Sequence, residues 1–143
     1  MAAALVYRHD GTPVNLSFEL IKDSYGTPAI LRFCKRLVRM LGNKPTFLIW
    51  DRLAAHRSKV VRDYLAQHNV EPILLPAYSP DLNPTEWLWA NLSGVELANL
   101  GADSIEEAEY EARSGIRRVK RKISLLEGFM KGTGLSFTQV MSR

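Results

Sequence analysis

The sequence predicts an α/β fold in which a mixed sheet is flanked by helices. From Pro13 to Ile21 apolar and polar residues alternate, which is typical of a strand with one buried face. From Thr46 to Trp50 the run is short and apolar, as in a central strand covered on both faces. Apolar residues recur at helical spacing around these runs, and such alternation of strand and helix signals is typical of α/β domains.

Local signals define the elements of the first third of the chain. The segment from Ala4 to Arg8 is a predicted strand that forms a hairpin with the 13–21 run, because His9-Asp10-Gly11 suits a tight turn. Thr27 is expected to cap a helix whose first residue is Pro28. Gly42-Asn43 is expected to end that helix.

The remaining elements follow in the same way. Ser58 is expected to cap a helix that runs to about His68, and Val70 to Leu75 is a further strand, stopped by Pro76. Ser104 and Glu107 form a capping box for a last long helix, about 104–123. The apolar stripe of that helix consists of Ile105, Ala108, Ala112, Ile116, Val119 and Ile123. The tail from about Gly132 carries weak structural signals.

The bulk composition describes a soluble globular domain. With 143 residues, 46% of them hydrophobic and 24% charged, the chain is the size of one domain and is unlike a disordered protein. No apolar run approaches the roughly 18–20 residues that span a bilayer, so no membrane partner is expected. The net charge of +4 is a mild bias toward nucleic acid. Cys34 is the one cysteine, which excludes an internal disulfide, suits a reducing cytoplasm and is interpreted as a buried apolar residue.

Two carboxylates carry the best chemical signal. Asp51 ends the apolar 46–50 run, and Glu86 follows it with 34 residues between them. Each has a structural interpretation, since Asp51 could be a turn residue and Glu86 could complete a capping box with Asn83. If strand and helix pack side by side, both carboxylates lie at one end of a sheet. Mg²⁺ takes one or two carboxylates together with phosphate oxygens, and two such ions support phosphodiester chemistry.

Several other residues have two interpretations each. His56 could be structural, could orient a neighbour or could touch substrate. Arg113, Arg117, Lys120 and Arg121 share one face of the last helix, where they could be merely solvated or could contact DNA phosphates. The same alternatives hold for the basic face of the first helix, which carries Arg32, Lys35, Arg36 and Arg39.

The segments LIWDRLAAHRS and LLPAYSPDLNPTEWLW resemble the DDE transposases of the mariner superfamily, in particular those of bacterial insertion sequences. GVELANL is also similar to the family. The resemblance implies an RNase-H-like fold, Mg²⁺ or Mn²⁺ as cofactor, and DNA cleavage and strand transfer at transposon ends. It makes Asp51 and Glu86 the second and third catalytic acids and metal ligands.

The sequence departs from the family pattern at two places. Arg52 stands where many members have Asn, which makes it, with His56, a residue expected near the substrate. The family's first catalytic Asp lies on a strand upstream of the hairpin, and neither Asp10 nor Asp23 matches its position. We therefore expect residues 1–143 to form a single RNase-H-like domain that lacks the first strand and the N-terminal helix-turn-helix region.

These departures shape the expected function. The strands on either side of the missing one are expected to pair directly, or to receive a strand from another chain. With two of three acids, the chain is expected to be inactive alone and to work as a homodimer or with full-length transposase, on transposon-end and target DNA near the bacterial nucleoid. The alternatives are a non-catalytic module that binds DNA or transposase, and a different RNase-H-like nuclease.

Overall fold

The computed structural model describes residues 1–21, 24–98, 101 and 104–136, which form four strands, five α-helices and two short 3₁₀ helices. These residues divide into two compact units. The first comprises residues 1–2 and 19–83, and the second comprises residues 3–18 and those after 83. None of the helices in these ranges is long and apolar enough to cross a membrane.

The first unit is built on a parallel pair of strands. β3 (Thr46–Trp50) pairs with β4 (Val70–Leu74) in a register that runs from Thr46 opposite Val70 to Trp50 opposite Leu74. Both strands lie where the sequence predicts them, β4 ending one residue early. Side chains alternate across a strand, so Trp50 and Leu48 face the helical core while Phe47 faces away and is 52% exposed. The prediction that β3 is covered on both faces is therefore wrong.

Two helices cover that core face. α1 (Thr27–Leu41) packs on α2 (Lys59–Gln67), and the fully buried side chains of Cys34, Val61 and Leu65 lie among them. Burial raises the pKa of the Cys34 thiol to about 11, because the thiolate would lose its hydration. The interpretation of Cys34 as a buried apolar residue is confirmed.

The helix ends of the first unit agree with the sequence except at one cap. Thr27 is the first residue of α1 and Gly26 takes the N-cap position, without a side-chain hydrogen bond. The threonine cap is therefore a wrong prediction, because Pro28 fits the first turn whether it stands first or second. Gly42 ends α1 in the left-handed conformation at φ 63°, and the Ser58 hydroxyl accepts from the Val61 N–H at 3.4 Å.

The second unit contains most of a hairpin and three helices. β1 (Ala2–Tyr7) and β2 (Pro13–Glu19) pair through a turn in which the Arg8 N–H donates to the Thr12 carbonyl at 2.8 Å. α3 (Pro84–Val95), α4 (Ile105–Arg121) and α5 (Ile123–Gly132) pack on one another. The Tyr7 hydroxyl donates to the Leu126 carbonyl at 2.6 Å, so strand and helix are joined in this unit.

The long helix predicted at about 104–123 is present as α4, but it ends two residues early, at Arg121. Lys122 leaves the helical conformation at φ −111° and ψ 86°, and a separate helix, α5, begins at Ile123. The ends of the expected stripe, Ile105 and Ile123, are exposed, whereas its middle residues are buried: Ala112, Ile116 and Val119. Because the chain breaks at Lys122, α5 is not a continuation of α4, and it buries its own residues Leu126 and Phe129. The Ser104 cap is confirmed, since its hydroxyl accepts from the Glu107 N–H at 3.1 Å.

The α/β class is confirmed, and five helices with small sheets are consistent with an RNase-H-like nuclease domain. Among the described strands, however, β1 pairs with β2 and β3 with β4, as two separate sheets and not as one mixed sheet. The direct pairing that the sequence predicts across a missing strand is thus not present among these strands, each of which is paired with its sequence neighbour along one edge. A strand received from another chain stays a prediction.

Candidate functional site

Asp51 follows β3 directly, and its carboxylate is held from one side. Its Oδ1 accepts the Leu53 N–H at 2.9 Å and lies 2.8 Å from Nδ1 of His56. No hydrogen bond reaches Oδ2 from any residue that the structure describes, and the side chain is 59% exposed. One oxygen is therefore anchored to the protein and the other is open to a ligand.

The loop after Asp51 holds His56 in place. The aspartate turn at Leu53 leads into a short 3₁₀ helix, Ala54–Arg57, in which the His56 N–H donates to the Leu53 carbonyl at 2.9 Å. The His56 ring stacks on Trp50, with 4.1 Å between ring centroids and an angle of 2° between the planes. Because Trp50 is buried, this stack fixes the plane of the imidazole.

Arg52 has a structural contact that its residue type did not reveal. Its Nε donates to the Leu75 carbonyl at 2.9 Å, while the Leu75 N–H donates to the Trp50 carbonyl at 2.8 Å. Arg52 thus ties the carboxyl ends of β3 and β4 together, next to Asp51. A contact between Arg52 and substrate stays a prediction.

Glu86 lies in the first turn of α3, as the sequence predicts, and is exposed. The capping-box interpretation needs Glu86 to accept the Asn83 N–H, but that N–H donates to the Pro80 carbonyl at 2.9 Å. Within the described ranges the Glu86 carboxylate makes no side-chain hydrogen bond or ion pair. It is therefore available for a ligand, at a helix end that favours negative charge.

Tyr78, in the segment between β4 and α3, was missed by sequence reasoning. Its φ is 56°, a left-handed conformation that is costly for a bulky residue, and its side chain is fully exposed. The preceding Pro76-Ala77 and following Ser79-Pro80 mark a turn, but residue type alone does not say which residue takes the positive φ.

The two carboxylates belong to different compact units, Asp51 to the first and Glu86 to the second, and each is described in its own surroundings. Among the described residues no group of three or more His, Cys, Asp or Glu side chains is arranged to hold a metal ion. Asp23 lies outside those residues. An exposed carboxylate oxygen with no protein partner nevertheless fits a hard divalent cation, which prefers oxygen ligands.

The basic residues of α4 divide into two groups. Arg113 donates to the Glu109 carboxylate at 2.9 and 3.2 Å, whereas Arg117, Lys120 and Arg121 are exposed and make no ion pair with the part of the chain described. All four lie on the face that the sequence predicts. The exposed face is compatible with phosphate contacts.

Arg118, on the other side of α4, has a structural role that spacing could not reveal. Its Nη2 donates to Glu96 Oε2 at 2.9 Å and to Asn91 Oδ1 at 2.6 Å, and its Nε donates to Glu96 Oε1. The hydrogen bond from Arg118 lowers the pKa of the Glu96 carboxyl below its ordinary value. This cluster ties α4 to the end of α3, the helix that carries Glu86.

A family model described as DDE superfamily endonuclease matches residues 14–107 of the chain. The chain belongs to this family. The match spans both Asp51 and Glu86 and indicates a nuclease function of the transposase type, with DNA as the substrate. Nucleases of the DDE superfamily generally use divalent metal ions. No curated protein matches the chain.

Proposed function

We propose that this DDE-family chain is the catalytic-core part of a mariner-superfamily transposase of the bacterial insertion-sequence type. The observation that carries the proposal is the state of its two motif acids. Asp51 ends a strand with one carboxylate oxygen anchored and the other open, and Glu86 stands in a first helical turn without a protein partner in the described ranges. The motif segments around both acids support the assignment to this superfamily.

In this proposal Asp51 and Glu86 are ligands of Mg²⁺ or Mn²⁺. When bound, such ions activate an attacking oxygen and stabilise a leaving one in phosphodiester cleavage and strand transfer. The chain's own residues orient the ligand oxygens. Leu53 and His56 hold Oδ1 of Asp51, so that Oδ2 faces the cation, and Arg52 joins the carboxyl ends of β3 and β4. His56 and Arg52 thus border the place where the DNA would bind.

We further propose that these 143 residues cleave DNA weakly alone, because their motifs account for two of the family's three acids. A full-length transposase would supply the third. The test is nicking of supercoiled plasmid by the purified chain with Mg²⁺ or Mn²⁺. We expect little nicking, and strong nicking that Asp51→Asn abolishes would contradict the shortage of an acid while supporting the site.

The exposed face of α4 is our proposed DNA contact. Neutralising a phosphate contact reduces the slope of log affinity against log salt by about 1. We expect this for Arg117→Gln, Lys120→Gln and Arg121→Gln, measured by fluorescence anisotropy on a labelled duplex. Lys44→Gln is the matched control, because Lys44 is an exposed cation of the other unit. Equal slopes for all four variants and the wild type would reject this face.

The same measurements separate the non-catalytic alternative. A module that only binds DNA or transposase would keep the salt-dependent binding. It would not cleave DNA even when a full-length transposase is added that keeps the first catalytic Asp but is inactivated at another residue of its own site. The catalytic hypothesis would be favoured if cleavage is restored under those conditions and lost again in Glu86→Gln.

A further inference from the structure

The Asp51 carboxylate and the His56 ring form a defined pair in the first unit. Nδ1 of His56 lies 2.8 Å from Asp51 Oδ1 and 3.3 Å from the Asp51 carbonyl oxygen. Both of these oxygens are acceptors, so Nδ1 must carry a proton to face them. The ring therefore donates through Nδ1 whether or not its other nitrogen is protonated.

The imidazole is placed before any ligand arrives. Trp50 stacks flat against one side of the ring, and the 3₁₀ helix Ala54–Arg57 sets the backbone from which the ring projects. The His56 side chain is only 14% exposed, whereas that of Asp51 is 59% exposed. A ring that is buried against tryptophan, with its donor nitrogen turned to a carboxylate, is built to hold that carboxylate.

We infer that His56 is a positioning residue for Asp51, which fixes Oδ1 so that Oδ2 is presented to a divalent cation. The inference rests on the proposed function for the identity of the ligand, but the contact itself is independent of it. It develops the expectation that His56 orients a neighbour, and a contact between His56 and substrate stays a prediction. Hydrogen-bonded partners that orient a ligating carboxylate typically contribute about 10–100-fold to metal affinity or activity.

Three substitutions separate the donated hydrogen bond from the rest of the ring. Asn places its amide nitrogen where Nδ1 lies, Gln places its amide nearer to the other ring nitrogen, and Ala has no donor. All three remove the stack on Trp50. We therefore expect His56→Ala and His56→Gln to weaken Mn²⁺ binding by about tenfold and His56→Asn to keep an affinity close to that of the wild type.

The affinity is measured by titrating the full chain with Mn²⁺ and following the free ion by electron paramagnetic resonance. His68→Ala is the matched control, because His68 also directs Nδ1 at an acceptor, the Tyr64 carbonyl at 2.8 Å, and packs on the Tyr64 ring, but holds no carboxylate. It should bind Mn²⁺ like the wild type. Equal affinities in all His56 variants, or equal losses that include His56→Asn, would overturn the inference.

A metal-free readout keeps the inference apart from the proposed function. Long-range proton–nitrogen NMR spectra report which ring nitrogen carries the proton, and we expect the Nδ1-protonated form for both His56 and His68. A His56 ring protonated at the other nitrogen alone would overturn the inference even if Mn²⁺ binds. A wild-type chain that binds no Mn²⁺ but shows protonated Nδ1 at His56 would overturn the proposed metal site and leave the positioning contact in place.

Discussion

The two motif acids are held in place by different physical means. Asp51 sits in a loop, where two donors converge on one of its oxygens within five residues of sequence. Glu86 sits on a helix and has no side-chain partner among the described residues, so its position depends on how that helix is anchored. Local hydrogen bonds fix the first acid, and tertiary packing at a distance fixes the second.

Buried leucines and an ion pair past its C-terminal end anchor the Glu86 helix. Leu88 and Leu92 of α3 are fully buried, and Glu96, just past the end of α3, is bonded to Arg118 of α4. A substitution of Glu96 or Arg118 should therefore change the position of Glu86, although neither residue bonds to it. The same kind of substitution elsewhere on α4 should leave the position of Glu86 unchanged.

The largest expected effect comes from breaking the Arg118–Glu96 pair. These side chains are 27% and 10% exposed, so Arg118→Ala leaves a poorly hydrated carboxylate and should cost about 2–3 kcal/mol of unfolding free energy. The matched control is Arg113→Ala on the same helix, whose partner Glu109 is more exposed and whose loss should cost below about 1 kcal/mol. Urea unfolding measures both, and equal costs would remove the distinction.

The next effect tests the close approach of α3 and α4. A Cβ on Gly115 would lie 2.5 Å from Leu92 Cδ2 and 2.8 Å from Glu96 Oε2. Gly115→Ala should destabilise by about 1–2 kcal/mol even after a gain of roughly 1 kcal/mol in helix propensity. Gly94→Ala is the control, since nothing lies within 4 Å of its Cβ position, and it should be neutral or stabilising. A Gly115→Ala variant with the unfolding free energy of the wild type would show that α3 and α4 can move apart at little cost.

A smaller effect is expected in the segment between the two acids. Tyr78 holds a φ of 56° with its side chain in solvent, and asparagine tolerates that conformation far better. Tyr78→Asn should raise the unfolding free energy by about 1 kcal/mol. Tyr78→Ala serves as the comparison, because it removes the ring but keeps the strained backbone. An equal gain for both would assign the effect to the ring and not to the backbone.

The smallest effect concerns pH. The hydrogen bond from Arg118 lowers the pKa of Glu96, so this pair contributes stability above the ordinary carboxyl pKa and loses it as pH falls through the lowered value. Thermal melts should show the wild type losing more stability than Glu96→Gln on acidification through this range. Parallel curves for the two proteins would mean that Glu96 is not paired in solution.

The sequence predicts the surroundings of Asp51 better than those of Glu86. The bounds of β3 follow from a run of apolar residues between Pro45 and Asp51, and the Ser58 cap follows from residue type. The contacts of Asp51 are also local, although the stack of His56 on Trp50 depends on a 3₁₀ turn that no periodicity marks.

What the sequence could not predict is mostly long-range. Arg118 and Glu96 are 22 residues apart, and although helical spacing places Arg118 away from the exposed basic face, it does not indicate which acid Arg118 pairs with. The Arg52 contact crosses 23 residues to a backbone carbonyl, which has no residue-type signal at all. The break at Lys122 depends on the packing of α5 against its neighbours. The apolar pattern of the sequence continues through Lys122 and therefore does not mark the break.

The proposed function makes Asp51 and Glu86 the metal ligands of this DDE-family chain. This assignment can be tested by Mn²⁺ titrations of Asp51→Asn and Glu86→Gln, followed by electron paramagnetic resonance. Asp81→Asn is the control, because Asp81 is an exposed acid of the intervening turn. We expect both ligand variants to lose most of the wild-type Mn²⁺ affinity and Asp81→Asn to retain it. Wild-type affinity in Asp51→Asn and Glu86→Gln would contradict the assignment.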